Sequence, residues 1–135
     1  MERHNTILSE HVEQREFVKY FRQKYLLNHG VKIFAIPNGG KRSKKVAMEM
    51  KLEGVDKGVP DLCVPEWFLY IEMKRVKKGY LSKEQKAYKE YLENCGYTVL
   101  VCKGCEDAIK KVDFFYKNNA ESIKKVKNML KELIC

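Results

Sequence analysis

Gly58-Val59-Pro60-Asp61-Leu62-Cys63-Val64-Pro65-Glu66-Trp67-Phe68-Leu69-Tyr70-Ile71-Glu72-Met73-Lys74 is the stretch on which the reading of this chain turns. Asp61–Val64 and Phe68–Lys74 are rich in residues that suit a pleated strand, and Pro65-Glu66 between them is turn chemistry, so the stretch reads as a β-hairpin. Side chains alternate across a strand, so Glu72 and Lys74, two positions apart, share a face. A short hairpin sets Asp61, at the start of the first strand, beside the end of the second. Leu69, Ile71 and Met73 mark the opposite face as core. Ionisable groups on a core strand are costly unless they are paired or bind a metal. Two carboxylates and an ammonium converging there suit a hard cation such as Mg²⁺ or Mn²⁺, which orients water and neutralises charge on a phosphodiester. In that reading Lys74 helps to deprotonate the water or stabilises the transition state. The rival is a solvent-facing Glu72–Lys74 pair on an edge strand, with Asp61 an ordinary turn residue after Pro60.

Outward from the hairpin, the chain alternates helix and strand signals. Ser9 can cap a helix running to about Asn28, with Val12, Phe17, Tyr20, Phe21 and Tyr25 at roughly helical spacing and Gly30 as its stop. Val31–Ile36 is β-rich and closes on Pro37-Asn38-Gly39-Gly40, which is loop chemistry. Ser43 starts a short helix ending at Gly54. Beyond the hairpin, Ser82-Lys83-Glu84-Gln85 has the spacing of a capping box and opens a helix to about Gly96. Tyr97–Cys102 is a further strand. Two helices follow, near Glu106–Lys117 and Ala120–Leu133, broken at Asn118-Asn119; the last carries an apolar stripe of Ile123, Val126, Leu130, Leu133 and Ile134. The order predicts an α/β layer architecture, and the absence of repeats or linkers predicts one domain over residues 1–135.

The 135 residues are enough to bury a core without staples, and 44% hydrophobic with 33% charged residues is a globular composition. The net charge of +9, from 27 Lys and Arg against 18 Asp and Glu, favours an anionic partner, or else is a lysine-rich solubilising surface. No apolar run is long enough to span a membrane, and the amino terminus lacks the apolar stretch of a secretory signal, so a cytoplasmic location is expected. Five cysteines, an odd number in such a chain, argue against a disulfide framework.

The run from Pro37 to Gln85 also resembles the virus-type replication-repair nuclease (VRR-NUC) family, a branch of the PD-(D/E)xK nucleases. The resemblance rests on the Pro37-Asn38-Gly39-Gly40 loop with Lys41-Arg42, on Lys51-Leu52-Glu53-Gly54, and on Gly58-Val59-Pro60-Asp61-Leu62. Ile71-Glu72-Met73-Lys74, Leu81-Ser82 with Gln85, and Gly96-Tyr97-Thr98-Val99 follow in the same order. With Glu13 in the first helix it covers roughly residues 10 to 107. The resemblance implies a restriction-endonuclease-like core, a mixed central sheet flanked by helices, over about residues 9–117; the extra C-terminal helix near 120–134 lies beyond what it matches. It implies that Asp61, Glu72 and the Met73 carbonyl ligate Mg²⁺ or Mn²⁺, that Glu13 stands beside them, and that Lys74 is the active-site lysine. It implies for Gln85 a role at the scissile phosphate or in holding Lys74, although the capping box alone explains a glutamine there. The small stand-alone, phage-encoded members that the chain resembles are homodimers related to Holliday junction resolvases, and the family's products carry 5′-phosphate and 3′-hydroxyl ends. DNA, branched or duplex, is the expected partner, with no organic cofactor. Amides of Asn38, Gly39 and Gly40 can approach a phosphate, and two basic clusters, Lys41, Arg42, Lys44 and Lys45, then Arg75, Lys77 and Lys78, can flank a duplex.

Two other readings compete. Cys102-Lys103-Gly104-Cys105 follows a strand and opens a helix, as in thiol oxidoreductases, but only thirty residues follow it and the last proline is Pro65, which leaves no room for the rest of that fold. As a zinc site the pair lacks a second CxxC or nearby histidines. A catalytically silent basic module that binds nucleic acid is the other alternative; it requires that Asp61, Glu72 and Lys74 be replaceable without loss.

Overall fold

The computed structural model describes residues 8–37 and 42–134. Ser9 caps helix α1 (Glu10–Phe21), its Oγ accepting from the Val12 amide at 3.3 Å. The helix runs on through a π-helical turn, Arg22–Leu26, into a last turn, Leu27–His29, and stops at Gly30, whose φ of +69° is the left-handed conformation that glycine tolerates. The wider turn swings Tyr25 into the interior with Phe17 and Phe21, all three essentially inaccessible. Strand β1 (Phe34–Ala35) is shorter than the expected Val31–Ile36, because only Phe34 and Ala35 find ladder partners, at Cys63 and Leu62; Val31 and Ile33 are still buried. Ser43 caps α2 (Lys44–Leu52), which buries none of its residues.

The hairpin forms as the alternation predicts. Strand β2 (Leu62–Val64) pairs antiparallel with β3 (Leu69–Lys74) in the register Leu62–Ile71, Cys63–Tyr70, Val64–Leu69. A 3-10 turn, Pro65–Trp67, joins them and ends at Phe68 with φ +52°. Helix α3 (Lys83–Asn94) opens with the full capping box of Ser82 and Gln85, and β4 (Thr98–Lys103) returns parallel to β3. The sheet order β1-β2-β3-β4, antiparallel at two joints and parallel at the third, is a mixed sheet flanked by helices, as expected. Its core contains Leu62, Val64, Leu69, Ile71, Met73 and Cys102 from the strands, with Phe17, Phe21 and Tyr25 from α1 and Ala108 and Val112 from the last helix.

That last helix corrects one expectation. The chain does not break at Asn118-Asn119: α4 runs unbroken over Cys105–Ile134. Asparagine disfavours helix interiors because its amide competes for backbone groups, but here each side chain bonds back within the helix. Asn118 Nδ2 donates to the Phe114 carbonyl at 2.7 Å and Asn119 Nδ2 to that of Phe115 at 2.8 Å. No helix among the described residues is long and apolar enough to cross a membrane.

Candidate active site

Asp61 stands at the mouth of β2, where the chain leaves Gly58 and Pro60. Gly58 has φ +90°, and a Cβ there would lie 2.5 Å from the backbone carbonyl carbon and oxygen of Glu84, so only glycine lets this loop press against the first turn of α3. The contact closes one wall of a cavity of about 270 Å³ lined by Asp61, Glu72, Met73 and Lys74 from the hairpin, Ser82 and Gln85 from the start of α3, and Glu10 from α1. Its volume is that of several waters, at roughly 30 Å³ each, which suits a hydrated ion and a phosphate better than an organic cofactor.

The hairpin register does what the spacing predicted: it brings Asp61, Glu72 and Lys74 together. Asp61 Oδ2 accepts the Met73 amide at 2.7 Å, so a carboxylate rather than a backbone carbonyl continues the ladder just before β2 begins. A strand residue turns its N–H and C=O toward the same neighbour, so the Met73 carbonyl also faces the Asp61 edge. Glu72 is 3% exposed and its carboxyl stands close enough to that of Asp61 to feel its charge. Gln85 Nε2 donates to Glu72 Oε1 at 3.0 Å, and Lys74 Nζ lies 3.8 Å from the same oxygen. Burial first, then repulsion from Asp61, pushes the Glu72 carboxyl up to about 8; the Lys74 ammonium offsets only part of this.

Gln85 therefore holds Glu72 rather than Lys74, while its Oε1 accepts the Ser82 amide at 2.8 Å and its own amide donates to Ser82 Oγ at 3.1 Å. The capping box is realised, and the same side chain bonds Glu72, a partner that the sequence reading did not name.

Glu13 is placed elsewhere. Its Oε2 accepts the Cys105 amide at the start of α4, and it does not line the cavity. The α1 acid that does is Glu10, one turn earlier, whose charge also raises Glu72. Little in the local pattern marks Glu10, because an acid in the first turn of a capped helix is ordinary dipole complementation. Lys57 and Glu84 are further lining residues that no motif marked. With Glu10, Asp61, Glu72 and Glu84 against Lys57 and Lys74, four carboxylates face two ammoniums. The lining is thus formally acidic by two charges in a chain of net +9.

This donor set fits a hard divalent cation. Among the described residues no group of three or more His, Cys, Asp or Glu side chains is placed to hold a metal ion, so the protein side chains here would supply fewer than three such ligands. Two carboxylates and a carbonyl match the few protein ligands of Mg²⁺, which keeps several waters.

Arg42, Lys44 and Lys45 are exposed around the start of α2, and Arg75, Lys77 and Lys78 are exposed just after β3. Arg42 lines a neighbouring cavity that shares Lys57 and Glu84 with the first. Asn38, Gly39, Gly40 and Lys41 lie outside the described residues. The turn after β3 is tightly fixed: Lys78 has φ +58°, and a Cβ on Gly79 would lie 2.9 Å from that of Lys74. In the CxxC segment, Cys102 is wholly buried, and burial pushes its thiol up to about 12 and that of Cys105 upward as well. Both shifts oppose thiolate chemistry. Gly104, with φ +87° and no room for a Cβ beside Val76, is what the tight β4–α4 joint requires.

A solved structure described as a VRR_NUC domain protein superposes with a TM-score of 0.68 at 24% identity, over 83% of this chain and 91% of that one, and shares its fold. No curated protein sequence matches the chain significantly. The family model for the VRR-NUC domain matches residues 2–106, which contain Glu10, Asp61, Glu72, Lys74 and Gln85 together. The chain belongs to the VRR-NUC domain family, a nuclease-type domain.

Proposed function

We propose that the protein is a metal-dependent DNA endonuclease that hydrolyses phosphodiester bonds at the Asp61–Glu72–Lys74 cavity. The observation that carries this reading is the convergence of those three side chains in an acidic cavity on an otherwise basic molecule. Asp61, Glu72 and the Met73 carbonyl would hold Mg²⁺ or Mn²⁺, with Glu10 rather than Glu13 as the acid from α1. When bound, such an ion polarises the phosphate and lowers the pKa of attacking water. The chain's own groups do the rest. The Met73 amide fixes Asp61, Gln85 fixes Glu72, and the Lys74 ammonium, 3.8 Å from Glu72 Oε1, would offset charge building on the phosphate oxygens. Arg42, Lys44, Lys45, Arg75, Lys77 and Lys78 would meet the flanking backbone.

The finer reading is a homodimeric, structure-selective enzyme of the Holliday-junction-resolvase kind. It is supported by the resemblance to the family and by exposed apolar residues on α2, where Met48 and Leu52 are 67% and 83% exposed.

The test is cleavage of labelled four-way junction, flap and linear DNA with Mg²⁺, Mn²⁺ or EDTA. Wild type should cut in either metal and not in EDTA. Asp61→Ala should lose on the order of a thousandfold in rate, the several kcal/mol that charge stabilisation at a metal supplies. Paired symmetric cuts confined to the junction support the dimeric reading, and cutting of flaps or duplex keeps the site but changes the role. Equal cutting by mutant and wild type would refute the active-site assignment.

A further inference from the structure

Helix α1 sorts its charges by side. At about 100° per residue, His11, Arg15, Lys19 and Arg22 fall within an arc of about 80°, while Glu10, Glu13 and Glu16 lie outside it. Two of the acids are engaged elsewhere: Glu10 lines the catalytic cavity and Glu13 caps α4. Arg15, Lys19 and Arg22, together with His11, instead line one open groove, with Val18 and Ala35, that contains no acidic residue. All four are exposed, and among the described residues none of Arg15, Lys19 and Arg22 has an ion-pair partner. A solubilising surface has no need of this segregation. Charges scattered over a helix pair with neighbours three or four residues away, as Lys89 with Glu93 and Lys111 with Asp107 do elsewhere in this chain.

Two residues of the groove are chain neighbours of residues at the active site. His11 follows Glu10 directly, and Ala35 precedes Ile36, whose amide donates to the Asp61 carbonyl at 2.8 Å. From residue 11 to residue 22 the stripe extends about 16 Å at 1.5 Å per residue, the rise of roughly five base pairs at 3.4 Å each.

We propose that this face of α1 is a second phosphate-binding track, which grips the DNA duplex flanking the cut through Arg15, Lys19 and Arg22. The proposal rests on the nuclease reading and extends it to a surface that shares no residue with the basic clusters at residues 42–45 and 75–78. Three neutralised phosphates contribute about 0.9 each to the slope of log K against log salt. The track carries no base-reading geometry, so it adds affinity evenly across sequences.

The experiment is fluorescence anisotropy of a labelled 30-mer duplex in EDTA between 50 and 300 mM salt, with cleavage of the same DNA in Mn²⁺ measured in parallel. The triple variant Arg15→Gln, Lys19→Gln, Arg22→Gln should weaken binding by about 10- to 100-fold and make the slope less negative by two to three. Lys124→Gln, Lys125→Gln, Lys131→Gln, which removes the same charge from the exposed outer part of α4, should leave the slope within one unit of wild type. If the two triple variants shift binding equally, or the α1 variant binds as wild type does while wild type cuts DNA, the track is refuted and the nuclease reading stands. If wild type neither binds nor cuts DNA, both fall. Should the triple variant fail to fold, Arg15→Gln and Arg22→Gln singly decide the matter, each expected to cost about one slope unit.

Discussion

The side chain of Gln85 faces two ways, and the consequence can be measured. Its carbonyl oxygen ties the Ser82 amide and so fixes the start of α3, while its NH₂ ties the buried Glu72 carboxyl. Gln85→Ala removes both bonds. The loss of the cap should cost about 1 kcal/mol of stability, and the loss of the donor should lower kcat by roughly 10- to 100-fold, the equivalent of 1–3 kcal/mol for a buried group left without its partner. Gln85→Glu retains the capping acceptor but sets a third carboxyl against Glu72, so its kcat should fall at least as far. If kcat is unchanged in both variants, Gln85 only caps. Sequence spacing revealed Asp61, Glu72 and Lys74 because strand alternation is a local rule. It could not separate Glu10 from Glu13, since which turn of α1 reaches the cavity depends on how the helix docks on the sheet. The capping spacing of Gln85 was legible, but its second bond crosses from α3 to β3 and is set by the Gly58 contact with Glu84.

Among the elements, α4 departs most from the pattern of the sequence. Two asparagines in succession read as a break, and only the backbone-directed bonds of Asn118 and Asn119 keep the helix whole. Its two halves differ in what they do. Up to Ile123 it packs on the core beside Trp67 and Tyr116, and Lys127 Nζ reaches Glu66 Oε2 at 2.8 Å. Beyond that point Met129, Leu133 and Ile134 are 60%, 80% and 83% exposed, so the expected apolar stripe covers the core only at its near end. A chain stopped after Asn128 should therefore melt within a few degrees of the full one. A stop after Lys117 strips Ile123 from the core and should cost about 2–4 kcal/mol. Calorimetry of the two truncations at low protein concentration checks this. Equal losses would mean that the outer turns are covered in solution, by a second copy of the chain or another partner. The short β1 shows the same limit of local reading: Val31–Ile36 has strand composition throughout, but β2 offers ladder partners only to Phe34 and Ala35.

At the scale of the whole molecule, the active site and the rest of the fold respond to pH in opposite directions. Burial alone raises Asp113, but bonds from Tyr20 and Tyr25 and the Lys24 ammonium outweigh it and hold the carboxyl below its ordinary 3.8. The stability this contributes is present above that value and is lost as pH falls through the folded-state pKa. Glu72 behaves in reverse. Raised from 4.5 to about 8, it binds its proton more tightly in the folded protein; that stabilisation is complete below pH 4.5 and disappears as pH rises to about 8. In EDTA, thermal stability should thus be highest in the mildly acidic range and decline toward pH 8. Divalent cation competes with the proton at the same carboxylates, so saturating Mg²⁺ or Mn²⁺ should raise Tm more at pH 8 than at pH 5.5. Glu72→Gln keeps the shape of the side chain and has nothing to ionise: it should flatten the alkaline decline, gain stability over wild type at pH 8 in EDTA, and lose the metal-dependent rise together with cleavage. A decline that persists in Glu72→Gln would place the titrating group elsewhere. A metal-dependent rise that persists would remove Glu72 from the ligand set.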